Sequence, residues 1–295
     1  MRLFLLFLFS VVAAILISSL IATPLYQLFG VDRLTDFDNF GKRLAMLAIL
    51  LTIVAILKYK GLLHYKNVGW SVAYRTHSGS QLLGYGFIVG ILMMLPVTLL
   101  FHFSELRVLD ISGFAWSSFI AKLASLLLAA FAVSLIEETF FRGVLFDGFL
   151  REKRPTTALF LCALFFSVIH FARIKGAELP TDAPWYHGLI ILTDSIADHW
   201  HSDYLATAVS LFLAGVLLGI VRLKTASVWA CIGIHSGWIL TLKVDKKLSD
   251  FNAQSDWNFL VGPYDSYNGW ATSAWLAIIL VVYATVTAMR KKASG

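Results

Sequence analysis

The chain is dominated by a succession of apolar stretches, each about as long as a membrane-spanning helix. A helix needs roughly 20 mostly apolar residues to cross the hydrocarbon layer, and only helices or closed barrels satisfy every backbone polar group there. We therefore predict an all-α polytopic integral membrane protein of about eight transmembrane helices, with residues 1–295 forming a single membrane domain. The predicted spans are approximately 3–23, 43–63, 82–103, 126–148, 156–176, 204–223, 226–243 and 270–289.

The composition agrees with a membrane protein and argues against other classes. Of the residues, 58% are hydrophobic and 14% are charged, whereas soluble domains average about 25% charged residues. The net charge is +6, but the basic residues form short clusters between apolar stretches. They are interpreted as topology signals, and no nucleic-acid partner is predicted. Cys162 and Cys231 both lie in apolar stretches, so the chain has neither a CxxC site nor a disulfide framework.

The distribution of Lys and Arg predicts the orientation. Basic residues are more frequent in the segments that face the cytoplasm if the N-terminus lies inside. The first apolar stretch runs to Ala22, longer than the usual signal-peptide core of roughly 7 to 15 residues, which favours a retained helix over a signal peptide. We expect a multi-pass protein of the cell membrane with both termini cytoplasmic. Arg290, Lys291 and Lys292 are interpreted as a stop-transfer cluster.

Ionisable residues lie inside several predicted spans, where each costs roughly 2.5 to 3.5 kcal/mol on insertion scales. They are Glu137, Glu138, Arg142, His170 and His235. At about 1.5 Å rise per residue, Glu137 and the two His fall at similar depths on three different helices. This predicts that three helices converge on one polar site.

Helix geometry predicts different roles for the two adjacent glutamates. Glu138 and Arg142 stand at i and i+4 with the acid first, which favours an ion pair. Glu137 is rotated by about 100° from Glu138 and is free for another partner. An unpaired, desolvated Glu137 is suited to act as a general base. Taken singly, Glu137 is as compatible with a structural tie between helices as with a functional role, and either His favours the structural tie. Taken together, these residues favour water activation or proton relay.

These residues belong to three sequence motifs. The first motif is Glu137-Glu138 with Arg142, followed by Gly143. The second runs from Phe166 to His170, and the third is an apolar helix with a His after a basic turn, from Leu218 to His235. Together the three motifs resemble a known family, the CAAX-protease and bacteriocin-processing (CPBP, or Abi) intramembrane proteases. The resemblance covers about residues 126–243, which it marks as the catalytic core.

The resemblance implies that Glu137 and His170 activate a water molecule and that His235 stabilises the oxyanion, with Glu138, Arg142 and Phe166 in support. The family commonly has an Asn four residues after this His, where the present chain has Ile239. Three alternatives remain open: Ser236 supplies the missing donor, Trp238 supplies it, or activity is altered or lost.

The predicted chemistry uses no cofactor. A zinc ion held by Glu137, His170 and His235 is chemically possible, since three N or O ligands plus water form a catalytic zinc set. The chain lacks an HExxH motif, and glutamate chemistry without metal is preferred. A second, weaker metal candidate lies in a loop predicted over about 177–203. It comprises Asp194, Asp198, His199, His201 and Asp203, while Trp185, Tyr186 and Trp200 are interpreted as interfacial anchors.

The sequence therefore predicts an intramembrane endopeptidase that cleaves a membrane-associated substrate, such as a prenylated peptide or a leader peptide. The predicted partners are this peptide or protein substrate and the lipid bilayer. Two other classes remain open. A proton-coupled transporter would place Glu and His similarly but would usually show an inverted repeat, which is not found. A membrane scaffold or immunity protein that has lost activity is the other, and Ile239 favours it.

Overall fold

The computed structural model describes residues 2–29, 36–59, 61, 69–70, 77–111, 116–171, 179–180, 182–199 and 201–293. Within these ranges, the side chains of residues 2–4, 7, 38, 116–118, 151–152 and 198–199 are not described. The α-helices are α1 (Arg2–Phe29), α2 (Phe37–Tyr59), α3 (Gly79–Phe103), α4 (Trp116–Glu138), α5 (Phe146–Glu152), α6 (Pro155–Ile169), α7 (His187–His199), α8 (Leu205–Thr225), α9 (Trp229–Leu248) and α10 (Trp270–Ala293). A π-helix, Thr139–Leu145, joins α4 to α5, and short 3₁₀ turns occupy Ser202–Tyr204 and Asn258–Leu260. Two short strands, β1 (Arg107–Leu109) and β2 (Ser249–Phe251), pair antiparallel.

An all-α membrane protein fits this architecture, but the prediction of eight spans is not confirmed. Among the described residues, six helices are long and apolar enough to cross a membrane. They are Leu8–Phe29, Asn39–Tyr59, Gly79–Phe103, Phe119–Leu150, Ser202–Thr225 and Trp270–Ala293.

The other two predicted spans, 156–176 and 226–243, correspond to α6 and α9. Helix α6 has 15 residues, fewer than the roughly 20 that a perpendicular crossing needs. Helix α9 carries Lys243, Asp245, Lys246 and Lys247 in its last turns. A hydropathy window reports only the average apolar character of a stretch. It therefore did not show that α6 is short or that α9 ends in charged residues.

Helix α9 packs closely against α3, and the two helices are parallel. The close approach is possible because glycines, which have no side chain, lie at the contact. A Cβ atom at Gly86 would lie 2.5 Å from the carbonyl oxygen of Ala230, and one at Gly237 would lie 2.5 Å from that of Phe87. Small residues spaced four apart let helix backbones approach closely in membranes. This packing fixes the position of His235, which lies between the contacts on α9.

Helix α6 runs antiparallel to α8. Leu159 lies against Gly219, and Ala163 lies against Gly215. Near the other end of the pair, the hydroxyl of Ser167 donates to the carbonyl oxygen of Ala208 at 2.8 Å. Helix α6 therefore extends along most of α8 even though it is shorter, and its C-terminal end is held against α8.

A polar cluster ties the end of α9 to α3 and β1. Asp245 accepts hydrogen bonds from His102 Nε2, at 2.7 Å, and from the Tyr267 hydroxyl, and the Arg107 side chain lies 3.4 Å from it. Burial, together with the bond to the Asp245 carboxylate, raises the pKa of the Tyr267 phenol. The phenol therefore stays protonated at neutral pH and donates to Asp245, which fixes the loop before α10 beside the end of α9.

Candidate active site

The predicted span 126–148 is not one regular helix. The α-helix ends at Glu138, and a π-helix follows from Thr139 to Leu145. Short π-helical segments widen a helix by shifting its hydrogen bonds to i+5, and they occur frequently at functional sites. The two glutamates therefore stand at the junction between the regular and the widened turn, a feature that the apolar pattern did not indicate.

The predicted ion pair between Glu138 and Arg142 is present and completely buried. Arg142 Nη1 donates to Glu138 Oε1 at 2.9 Å, and neither side chain is exposed. The Arg142 guanidinium also lies 4.5 Å from the centre of the Phe166 ring. The structure thus brings together the three residues to which the resemblance assigns supporting roles.

Glu138 has a second partner that helix geometry did not predict. His235 Nδ1 lies 2.8 Å from Glu138 Oε1. A carboxylate paired with an arginine can only accept, so Nδ1 carries a proton and donates it. This bond orients the imidazole with Nε2 4.0 Å from Glu137 Oε2. Glu138 therefore connects the buried pair to the candidate catalytic histidine.

His170 lies near the Glu137 carboxylate at the end of α6, and its position in the helix differs from the prediction. The sequence predicted it well inside a span over 156–176, whereas α6 ends at Ile169 and His170 caps it. Its Nδ1 donates to the carbonyl oxygen of Phe166 at 2.6 Å, so Nε2 is the free nitrogen in the neutral ring. Nε2 lies 3.9 Å from Glu137 Oε2.

Glu137 therefore stands between two imidazoles that both turn Nε2 toward it. Its side chain is 24% exposed, and among the described residues Oε2 has no hydrogen-bond partner. The 3.9 and 4.0 Å separations exceed a direct hydrogen bond but suit a bridging water at roughly 2.8 Å from each atom. The predicted convergence of the three residues is present in the structure.

Two cavities meet at this carboxylate. The first, of about 270 Å³, is lined mainly by apolar residues, among them Val11 of α1 and Ile53 of α2. The second, of about 260 Å³, is lined by polar and charged residues as well, including Lys243. Glu137, His170 and Tyr264 line both. A bound chain molecule can therefore present an apolar part on one side of Glu137 and a polar part on the other.

Sequence reasoning missed two residues of this arrangement. Tyr264, whose hydroxyl donates to the His170 carbonyl oxygen at 3.1 Å, lies in an irregular segment without periodic signal. Lys243 lies near the end of α9 and is partly buried, but its side chain forms no hydrogen bond or ion pair within the described part of the chain. The charge pattern identified it only as a topology signal. Its place in the polar cavity suits an anionic part of a bound molecule.

The second metal candidate differs from expectation in its local structure. The predicted loop over 177–203 contains the helix α7, which packs against α1 through a bond from the Gly188 amide to the Thr23 hydroxyl, at 2.9 Å. Asp194 belongs to this helix, whereas the side chains of Asp198 and His199 lie outside the described part.

No group of three or more His, Cys, Asp or Glu in the described part of the chain is arranged to hold a metal ion. Trp185 and Tyr186 are exposed, as interfacial anchors would be, and Trp200 lies outside the described residues.

Comparison with protein families supports the resemblance drawn from the motifs. Residues 119–241 match the model of a family described as Rce1-like, type II CAAX prenyl endopeptidase. The matched segment contains all six residues that the resemblance singled out, and it lies close to the predicted core over 126–243. No curated protein and no solved structure matches the chain.

Proposed function

We propose that this chain, whose central segment matches the model of a CAAX-type membrane endopeptidase family, is an intramembrane endopeptidase with Glu137 as its general base. One observation carries the proposal: Glu137 Oε2 lies 3.9 Å from His170 Nε2 and 4.0 Å from His235 Nε2. This arrangement places the Glu137 carboxylate between two imidazoles where two cavities meet, at separations that a bridging water would span.

The proposed reaction begins with a water held between Glu137 and His170. His170 Nε2 accepts one hydrogen bond from the water and orients it, while Glu137 removes the other proton as the water oxygen adds to the scissile carbonyl. Glu137 then returns that proton to the leaving nitrogen as the C–N bond breaks. Glu138 and Arg142 do not react in this scheme; they hold His235 beside the carbonyl.

The cavities support a substrate that is partly apolar and partly peptide. The apolar cavity beside α1 and α2 suits a hydrocarbon chain or an apolar side chain, since its walls offer few hydrogen-bonding groups. Lys243 in the polar cavity suits a carboxylate, because a partly buried cation without a partner in the described part of the chain gains most from an anion. A lipid-modified peptide with a nearby free C-terminus fits both features better than an internal leader-peptide site does.

A substrate panel tests this proposal. Detergent-purified protein is incubated with a synthetic prenylated peptide that ends in a free carboxylate, with its C-terminal amide, with the same peptide lacking the lipid, and with a leader peptide. Mass spectrometry of the products identifies the cut bond. We expect the prenylated free acid to be cleaved with the highest kcat/KM. No cleavage of any peptide would refute the enzymatic proposal, whereas cleavage of the leader peptide alone would refute the substrate class.

The reaction is further expected to proceed without a metal ion, because Glu137 and His170 can activate water without a Lewis acid. The rate of hydrolysis of the panel peptide that serves as substrate should change by no more than about twofold after incubation with a strong membrane-permeable chelator. Elemental analysis confirms that metal has been removed. Loss of activity that zinc alone restores would contradict this mechanism and would assign Glu137, His170 and His235 as zinc ligands.

A further inference from the structure

The indole N–H of Trp238 is a buried hydrogen-bond donor without an acceptor in the described part of the chain. Its side chain lies on α9, lines the polar cavity and is 6% exposed. Among the described residues, its indole N–H has no acceptor. A buried donor without a partner costs about 1 to 3 kcal/mol, and such groups are uncommon in native proteins. The apolar cluster that contains Trp238 together with Met94 and Leu276 explains the burial of the ring, but Phe would suit this cluster equally well.

The position of Trp238 places this donor beside the candidate catalytic groups. Trp238 follows His235 by three residues on the same helix, which puts both on one face. The ring centres are 6.2 Å apart. Both residues line the cavity that also contains Glu137. A carbonyl group attacked by a water at Glu137 would lie in this cavity, which both residues line.

The hydrogen bonds already formed leave few other donors for that oxygen. The Nδ1–H of His235 is committed to Glu138, so a neutral His235 has only a lone pair at Nε2 and cannot donate from it. The hydroxyl of Ser236 donates to the carbonyl oxygen of Gly233 at 2.9 Å. Ile239 lines the cavity but has no polar side-chain group.

We propose that the indole N–H of Trp238 donates a hydrogen bond to the oxyanion of the tetrahedral intermediate. This inference rests on the proposed peptidase function. When the water oxygen bonds to the carbonyl carbon, one water proton passes to Glu137 and the carbonyl π electrons move onto oxygen, which accepts from Trp238. When the intermediate collapses, the C=O bond re-forms, the C–N bond breaks, and Glu137 protonates the leaving nitrogen. Trp238 is a catalytic residue in this scheme, and His235 joins it as a donor only when protonated.

The variant Trp238→Phe tests the proposal because it removes the N–H and keeps most of the ring. Removing one oxyanion donor lowers kcat by about 10² to 10³-fold. KM should stay within about twofold of wild type, because the proposed hydrogen bond stabilises the oxyanion and contributes little to binding of the substrate carbonyl. The matched control is Trp275→Phe, whose indole donates to the Met93 carbonyl oxygen at 2.7 Å and which is not among the residues that line the two cavities. This control should keep kcat within about threefold of wild type. Thermal unfolding of both variants shows whether folding is retained.

A double variant distinguishes an oxyanion donor from a packing residue. Ile239 lines the same cavity, so Asn in its place offers a substitute N–H. We expect Trp238→Phe with Ile239→Asn to recover at least about tenfold of the lost kcat, and Trp238→Phe with Ile239→Leu to recover none. Wild-type kcat in Trp238→Phe, or a loss that the Asn variant fails to rescue, would overturn the proposal. A wild-type protein that cleaves no peptide of the panel would overturn the proposed function and this inference with it.

Discussion

Glu137→Gln is expected to lower kcat for peptide cleavage by about 10² to 10⁴-fold, the usual contribution of general-base catalysis. The amide has the shape of the carboxylate but cannot accept the proton of the attacking water at neutral pH. Both Nε2 atoms that face Oε2 remain in place in this variant, because Glu138 and the Phe166 carbonyl oxygen orient them independently. The measurement compares kcat for the substrate peptide, and thermal unfolding in the same detergent, between the variant and wild type.

The matched control for this variant is Asp250→Asn, the same acid-to-amide change at an exposed position on β2. It should leave kcat within about twofold of wild type, since exposed substitutions away from a site have small effects. Folded Glu137→Gln that retains wild-type kcat would contradict the assignment of Glu137 as the base. Folded protein with a large loss, together with an unaffected control, would support it.

Local helix geometry was sufficient to predict part of this site. The i, i+4 spacing of Glu138 and Arg142 predicted their ion pair before any tertiary information, and the pair is present even though Arg142 lies in the π-helix. The similar depths predicted for Glu137, His170 and His235 also indicated their convergence. The convergence is present, although α6 ends before His170 instead of continuing as the predicted span. The roles assigned to these residues remain predictions.

The remaining features depend on contacts between segments far apart in the chain. The His235 bond to Glu138 joins residues 97 positions apart, and no periodicity encodes which nitrogen faces Glu137. The π-helix after Glu138 and the end of α6 before His170 are changes in backbone conformation, which average hydropathy does not report. The same uniformity led to eight predicted spans, where six helices in the described part of the chain are long and apolar enough to cross.

Strands β1 and β2 and helix α7 were missed for a related reason. Each strand has three residues, which is too few for an alternating pattern to be recognised. The hydrogen bond from the Arg107 side chain to Ser249 links positions far apart in the sequence, so local sequence does not indicate it. Helix α7 lies in a segment whose polar composition resembles a loop, but its apolar residues Ile191 and Leu192 are buried. Burial against α1 decides its structure, and that contact is not visible in local sequence.

Arg142→Met is expected to cause the largest loss of stability among the substitutions considered, about 3 to 5 kcal/mol of unfolding free energy. The change would leave the fully buried Glu138 carboxylate with only the neutral donor of His235 as a partner. An uncompensated charge in an apolar interior costs far more than the lost packing of the guanidinium, much of which Met replaces. Glu137→Gln should cost much less, since Glu137 is partly exposed and already lacks a hydrogen-bond partner at Oε2 in the described part of the chain.

The measurement compares the two single variants with the double variant Glu138→Gln, Arg142→Met by denaturant or thermal unfolding in one detergent. Removing both charges should recover part of the stability lost in Arg142→Met, because the penalty lies mainly in the stranded carboxylate. The double variant should still cleave slowly, since an amide at position 138 would orient His235 less firmly than a carboxylate does. Equal stability of Arg142→Met and Glu137→Gln, or no recovery in the double variant, would contradict the predicted contribution of the buried Glu138–Arg142 pair to stability.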